Sequence, residues 1–457
     1  MGREKTIDMT RGEPLRLIVR FSLPLLVGNA FQQLYNMVDS WVVGQFVGTT
    51  ALAAVGIAFP VIFLLSSLFI GLSIGASVMI AQFIGSEDRD AVRRSVNTVY
   101  GAFMVSIVPL TLFGLFISGP VLRLIQVPES VYGQAHIYLL VVFAGIIGSL
   151  GYNINAGILQ GLGDSRTPLL FLAVACVINI VLDLVFVLVF HWGVFGVALA
   201  TIVAQFSSWI FGIFYVNRKY RYFAIRPFRL EVEKPLLRRV LRLGVPSGIQ
   251  QCQLAVAVLV LQALINSFGE QFAAGFSAAN KIDTFAFMPI DSFALAMTTY
   301  VGQNVGAGRL DRVKTGVRKA LVLCIVVCAV MSALVVPNAD FFLSIFSADP
   351  AVIQAGRAYL DRVLSTMVLL AVMYPLNNAL RGAGAVMTPM VSNIVALWVA
   401  RVPAAYLLAH FYGRDALYWA YPIGWAIGIL ISGTVYLRGR WKRACPTAQR
   451  TETERAE

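Results

Sequence analysis

The side chains able to do chemistry in this sequence are few, and they sit where water would not ordinarily reach. Asp39 lies in RFSLPLLVGNAFQQLYNMVDSWVVGQF, an apolar stretch from Arg20 to Phe46. Asp183 lies in CVINIVLDLVF with Asn179 four residues before it, one helical step and therefore on the same face, and Thr201 follows in the next apolar run. A charged carboxylate at the centre of a bilayer costs roughly 2.5 to 3.5 kcal/mol on insertion scales, so it turns toward a bundle interior or a watery cavity and marks an ion or substrate path. Two such acids brought together repel each other unless something positive is placed between them. A proton does this, and so does a small hard cation such as sodium, held by carboxylate, amide and hydroxyl oxygens. Asp39, Asn179 and Asp183 are the candidate ligands, sodium being the metal they would hold. A purely structural role, hydrogen bonding between helices worth about 1 kcal/mol, has no need of two acids.

The elements that must position these groups are membrane helices. The chain has 457 residues, 58% of them hydrophobic and only 13% charged, outside the range of soluble globular domains. Its net charge of +13 is spread over short segments between apolar runs rather than gathered on one soluble face, which argues against a nucleic-acid partner. The five cysteines follow no disulfide or metal-ligand spacing and read as small buried hydrophobes. The first apolar run is too long and too polar in its middle for a cleaved signal peptide. No nucleophile elbow or zinc-helix motif is found, so an enzyme is not expected. No cofactor is expected either, only the coupling ion.

Runs of about 20 apolar residues, the length that crosses the hydrocarbon core, occur twelve times: 17 to 45, 52 to 81, 96 to 118, 136 to 158, 168 to 190, 194 to 216, 240 to 266, 272 to 304, 317 to 338, 357 to 380, 389 to 411 and 417 to 438. Basic residues concentrate in alternate connections: Arg3, Lys5, Arg11 and Arg16; Arg89, Arg93 and Arg94; the stretch Arg218 to Arg242; Arg309 to Lys319; and Arg438 to Arg443. Arg123, Arg357 and Arg414 are the exceptions. The positive-inside rule then puts both termini in the cytoplasm, as an even number of spans requires.

The basic segment NRKYRYFAIRPFRLEVEKPLLRR divides the spans six and six. The expected organisation is an amino-terminal lobe over 1–216, a cytoplasmic linker over 217–239, a carboxy-terminal lobe over 240–438 and a tail over 439–457. A shift of about 221 residues lays Gly85, Val92, Arg93 and Val96 on Gly306, Val313, Lys314 and Val317. The same shift lays Leu159, Gly161, Gly163, Thr167 and Pro168 on Leu380, Gly382, Gly384, Thr388 and Pro389, and Tyr138 on Tyr359. Repeats of six spans enter the membrane the same way up, related by an axis along its normal, and substrate is expected between them. The shift carries Asp183 to Ala404, Asn179 to Ala400, Thr201 to Pro422 and Asp39 to Val260 or Leu261, so the polar cluster is expected in the amino-terminal lobe alone.

PLLVGNAFQQLYNMVDSWVVG, AQFIGSEDRDAVRRSV, LQGLGDSRTP, NIVLDLVF and VGQNVGAGR, together with the repeat, resemble the multidrug and toxic compound extrusion (MATE) family over nearly the whole chain, in particular its DinF-like branch. The resemblance implies a drug antiporter driven by a sodium or proton gradient. It implies a coupling site at Asp39, Asn179 and Asp183, with Thr201 beside them and Tyr138 nearby in the fourth span. The NorM-like branch adds a glutamate in the seventh span, where this chain has Gln250, Gln251 and Gln253. A carboxy-lobe cation site of that kind is not implied.

For the cargo, Gln32, Gln33 and Tyr35, with Phe31 and Trp41, suit a pocket for flat amphipathic organic cations through hydrogen bonds and cation–π contact. Asp283 and Asp291, eight apart near one face of the eighth span, are further substrate candidates, set against packing or ion-pair roles, Lys281 pairing with an acid. Pro24 weakens the first span and is the expected hinge. The protein is expected to work as a monomer in the lipid bilayer. The rival readings are a lipid-linked precursor flippase, which calls for a basic central cavity, and a major-facilitator-type transporter.

Overall fold

The computed structural model describes residues 6–220 and 222–445; Arg3, Lys5 and positions 446–457 of the expected tail lie outside the described residues. Helices carry the whole fold, and no strand occurs among the described residues. They are α1 (Pro14–Val42), α2 (Thr49–Gly85), α3 (Arg89–Leu124), α4 (Glu129–Ala144), α5 (Ile146–Gly161), α6 (Arg166–Leu184), α7 (Gly193–Lys219) and α8 (Lys234–Asn266). Then come α9 (Glu270–Gly306), α10 (Leu310–Val335), α11 (Ala339–Ser344), α12 (Pro350–Tyr359), α13 (Met367–Gly382), α14 (Met387–Ile394), α15 (Val402–Tyr412) and α16 (Ala420–Leu437). Among the described residues, nine helical spans are long and apolar enough to cross a membrane, and the bent pairs α4/α5 and α12/α13 raise this to 11. The one expected span still to be placed, the eighth, is α9, 37 residues long, whose Lys281, Asp283 and Asp291 lower its apolar character. Several helices outrun the expected spans, as α3 does at both ends, because polar turns continue the hydrogen-bond ladder beyond the hydrocarbon core.

The duplication is visible residue by residue. Both α2 and α9 have 37 residues and follow glycines of positive φ, Gly48 at 114° and Gly269 at 100°. Gly163 and Gly384 close the turns after α5 and α13 at 85° and 92°. The bends recur as well, 51° between α4 and α5 and 52° between α12 and α13. Gly145 permits the first, since a Cβ there would meet Ile202 Cγ2 at 2.2 Å. At the second, Thr366 Oγ1 donates to the Arg362 carbonyl at 2.6 Å, satisfying backbone that the bend releases.

The chain divides into two compact units, and the division falls inside α1 and α8 rather than at the connector. Unit 1 holds residues 23–252 with the segment before Met9, and unit 2 holds Met9–Ser22 with the residues from Gln253 onward. In unit 1, α2 packs on α3, α4 and α5, and α7 on α4, α5 and α6. The first half of α8 belongs here because Gly71 and Gly75 face Gly244 and Gly248. A Cβ on Gly71 would lie 2.2 Å from the Gly248 nitrogen, a close backbone approach that only glycine allows. In unit 2, α9 packs on α10, α12 and α13, and α13 on α16. The start of α1 is tied to it by hydrogen bonds from Met9 N to Gln303 Oε1 (2.9 Å) and from Asn304 Nδ2 to Met9 O (3.0 Å), and by the Lys319–Glu13 pair at 2.6 Å. The expected linker over 217–239 is docked on unit 1. Asn217 Nδ2 donates to the Ile225 carbonyl (2.9 Å) and Ile225 N to Asn217 Oδ1 (2.6 Å), while Glu233 N donates to Thr98 Oγ1 at 3.2 Å.

Candidate functional site

Unit 1 gathers the five expected coupling residues from four helices. Asp39 is on α1, Tyr138 on α4, Asn179 and Asp183 one turn apart on α6, and Thr201 on α7. Asn179 and Asp183 are fully buried and Tyr138 nearly so. The Asp39 and Asp183 carboxyls lie within side-chain reach of each other, and Asn179 within reach of Asp183. Thr201 Oγ1 ties the surround together, taking hydrogen bonds from Asn179 Nδ2 and Tyr35 Oη, both at 3.5 Å. Four buried acceptor atoms make no hydrogen bond among the described residues: Asp39 Oδ1, both Asp183 oxygens and Asn179 Oδ1. Buried acceptors are nearly always satisfied. An all-oxygen set of two carboxylates and an amide has the ligand chemistry for a proton or a hard monovalent cation.

Both acids stand just before a widened turn of helix. A π-helical segment, Val43–Val47, follows α1, and another, Val185–Val189, follows α6. Such turns concentrate at functional sites. Nothing in the apolar pattern foretells them, since they are a matter of backbone winding rather than of residue type.

Beside the acids is a cavity of ≈ 470 Å³ whose wall includes Gln32, Tyr35, Asn36, Asp39, Tyr138 and Thr201. This is the size range of small-molecule pockets. Asn179 and Asp183 lie behind that wall. Of the expected cargo residues in α1, Gln32 and Tyr35 face the cavity and Gln33 does not, because it points a helical third of a turn away. Phe31 and Trp41 are not on the wall, and Trp41 packs edge-on against Phe46 at 5.6 Å. Asn36, Ser40, Phe59 and Gln205 are wall residues that the sequence reading missed. Gln32, Asn36, Asp39 and Ser40 recur with helical period, the signal that could have found two of them.

Unit 2 corrects the expectation that only one lobe has a polar cluster. Tyr359, the repeat mate of Tyr138, donates to Asp283 Oδ2 at 3.1 Å. Arg401, at the end of the π-helical segment Val395–Arg401, is near enough to act electrostatically on Asp283, and its guanidinium lies 3.2 Å from the centre of the Tyr421 ring. The shift misses this cluster because its acid comes from α9 and its cation from a segment whose counterpart in unit 1, α6, supplies an acid. Asp291 accepts from Tyr374 Oη at 3.0 Å. Both α9 aspartates thus have tyrosine partners inside their own unit. Lys281 lies over the Phe346 ring at 5.3 Å rather than pairing with an acid. Pro24 is inside α1, which runs unbroken through it, and lies beside the point where the division between units cuts that helix.

A helical bundle built twice over, with ionisable groups turned inward beside a cavity, is the architecture of a membrane transporter. Comparison with known proteins gives the same class. The MatE family model matches the chain twice, over residues 24–185 and 246–407, one match in each repeat. The chain is 30% identical over 443 residues to the probable multidrug resistance protein YpnP of Bacillus subtilis (strain 168), covering 96% of this chain and 98% of the relative. It is 27% identical over 450 residues to the probable multidrug resistance protein NorM of Thermotoga maritima, covering 95% of each. Among solved structures, a MATE protein in its bent conformation matches with a TM-score of 0.89 and 25% identity, over 97% of this chain and all of that one. The chain belongs to the MATE family, a family of transporters and not of enzymes.

Proposed function

We propose that this protein is a multidrug efflux antiporter of the bacterial inner membrane, with both termini cytoplasmic and one copy sufficient. It expels amphipathic organic cations in exchange for protons or sodium ions. The observation that carries this reading is the group of four donorless oxygens on Asp39, Asp183 and Asn179, adjoining a cavity lined by Asp39 itself. Cation entry joins Asp39 on α1 to Asp183 on α6. Because Gln32, Tyr35 and Asn36 are on the same helix as Asp39, drawing α1 toward α6 narrows the cavity and disfavours cargo. Departure of the cation releases α1 and restores the space. Pro24, which leaves one backbone acceptor without its helical donor, is where α1 bends. The exchange is obligatory only if the ion binds the two states unequally.

Unit 2 supports a single exchangeable site. There the acid, Asp283, already has a positive group of the chain's own, Arg401, near it. The flippase reading gains no support from the cavity, whose wall includes Asp39 and no lysine or arginine. The test is transport of a fluorescent organic cation by purified protein in liposomes, with sodium and pH gradients imposed separately. Efflux should follow one gradient, and efflux indifferent to both removes the proposal.

A further inference from the structure

Unit 1 has a second cavity, away from the one beside the acids. It measures ≈ 590 Å³ and lies where α3 begins and α7 ends, with Arg93, Arg94, Arg226 and Arg229 in its wall against Glu231 and Glu233. The three ion pairs at its rim, Arg93–Asp90, Arg94–Glu233 and Arg229–Glu231, are all exposed on at least one partner, so they are weak and open to exchange. Arg226 makes no ion pair among the described residues. A tight turn closed by Arg229 N donating to Arg226 O (3.0 Å), with Pro227 inside it, holds Phe228 out between the two arginines. Phe228 is 89% exposed and Leu230 59%.

Unit 2 has the same construction at the repeat-related place. A cavity of ≈ 540 Å³ lies where α10 begins and α16 ends, with Lys314, Arg318, Arg438 and Lys442 in its wall and no carboxylate. None of these four makes an ion pair among the described residues. The shift of about 221 residues takes Arg93 to Lys314, Asn97 to Arg318 and Tyr220 to Trp441. Trp441 is buried, donates its indole N–H to Tyr436 O at 3.2 Å and stacks on the Tyr436 ring, which fixes the floor. The rim is again apolar and open, with Leu437 85% and Val322 56% exposed.

A cationic hollow fitted with an exposed apolar lip, made twice in one chain, calls for a ligand that is anionic at one end and apolar at the other. We infer that each unit binds one anionic phospholipid, its phosphodiester head among the basic side chains and its acyl chains against Phe228 and Leu230 in unit 1 or Val322 and Leu437 in unit 2. Arginine matches phosphate oxygens two at a time, and clusters of basic residues at a helix-bundle surface of this kind bind lipid heads. Both hollows lie at the ends that the basic-residue distribution assigns to the cytoplasm, the leaflet rich in such lipids. The inference does not depend on which ion drives transport.

The experiment uses the full chain purified in detergent, with bound phosphatidylglycerol or phosphatidylcholine counted by native mass spectrometry. The wild type should retain two phosphatidylglycerols in preference to phosphatidylcholine. Arg93→Gln/Arg226→Gln and Lys314→Gln/Arg318→Gln should each retain one, and the quadruple variant none, each lost basic group weakening retention about fivefold. Gel filtration verifies that the variants stay folded, and the surface positions of these side chains make that the expected result. Phe228→Ser should weaken phosphatidylglycerol retention while leaving the loss of bound phosphatidylglycerol to added inorganic phosphate unchanged. Equal retention of the two lipids, or two phosphatidylglycerols still held by the quadruple variant, overturns the inference. Inorganic phosphate retained as strongly as phosphatidylglycerol in the same spectra, with both unaffected by Phe228→Ser, overturns the lipid assignment in favour of a soluble anion.

Discussion

Asp183→Asn tests the cation cage most directly. The substitution keeps the shape of the side chain, removes one of the two facing charges and adds an N–H₂ group within reach of Asp39, whose Oδ1 has no donor. On the proposed mechanism the new amide does permanently what a cation does reversibly, joining α1 to α6. A hydrogen bond to a charged group contributes roughly 1.5 to 3 kcal/mol, which at about 1.4 kcal/mol per decade biases the equilibrium roughly 10- to 100-fold toward the joined state. Gradient-driven efflux of a fluorescent organic cation from proteoliposomes should therefore fall to about one tenth or less. Cation uptake by the protein should vanish, while its melting temperature holds or rises. Efflux within twofold of wild type, still dependent on the imposed gradient, would refute the argument. So would a large fall in melting temperature, which would mean that the facing carboxyls serve only to hold the fold.

Asn179→Ala removes one neutral oxygen from the cage; it should weaken apparent sodium affinity about tenfold if sodium is the ion, measured as the sodium dependence of efflux, and leave a proton-driven rate far less changed. Arg401→Met takes from Asp283 a positive neighbour that acts on it without a direct ion pair; melting should show a loss that Arg401→Met/Asp283→Asn restores. Gly71→Val puts atoms into the backbone of Gly248, which cannot yield, so overpacking of at least about 1 to 3 kcal/mol should lower the yield of folded protein, read by gel filtration. Lys319 and two backbone N–H groups hold the Glu13 carboxyl below its ordinary value of 4.5. That anchor is intact above pH 4.5 and is lost as pH falls through the lowered value. The melting difference between wild type and Glu13→Gln should accordingly close in strong acid.

What the sequence made legible was mostly what hydrophobic length and repetition control. The long spans, the six-plus-six duplication and the meeting of Asp39 with Asp183 could be read because an acid in an apolar run must turn inward, and because Asn179 and Asp183 share a helix face. The cargo side was read less well. Gln32 and Gln33 are neighbours in sequence, but helical winding sends them to different surroundings and puts Asn36 on the wall instead. The polar cluster of unit 2 escaped because the shift compares residues at equivalent positions, while Asp283 and Arg401 solve a similar electrostatic problem from other positions. The division inside α1 and α8 was invisible for another reason: a continuous apolar helix carries no mark of where its packing partners change.

That Asp39 and Thr201 belong at once to the cage and to the cavity wall has a pharmacological consequence. Under the proposed exchange, a rigid amine, sized for that hollow and with its ammonium set against Asp39, would displace cargo and ion together. Resistance by mutation would then be hard to acquire, since a residue changed to shed the blocker is one on which the pump itself relies.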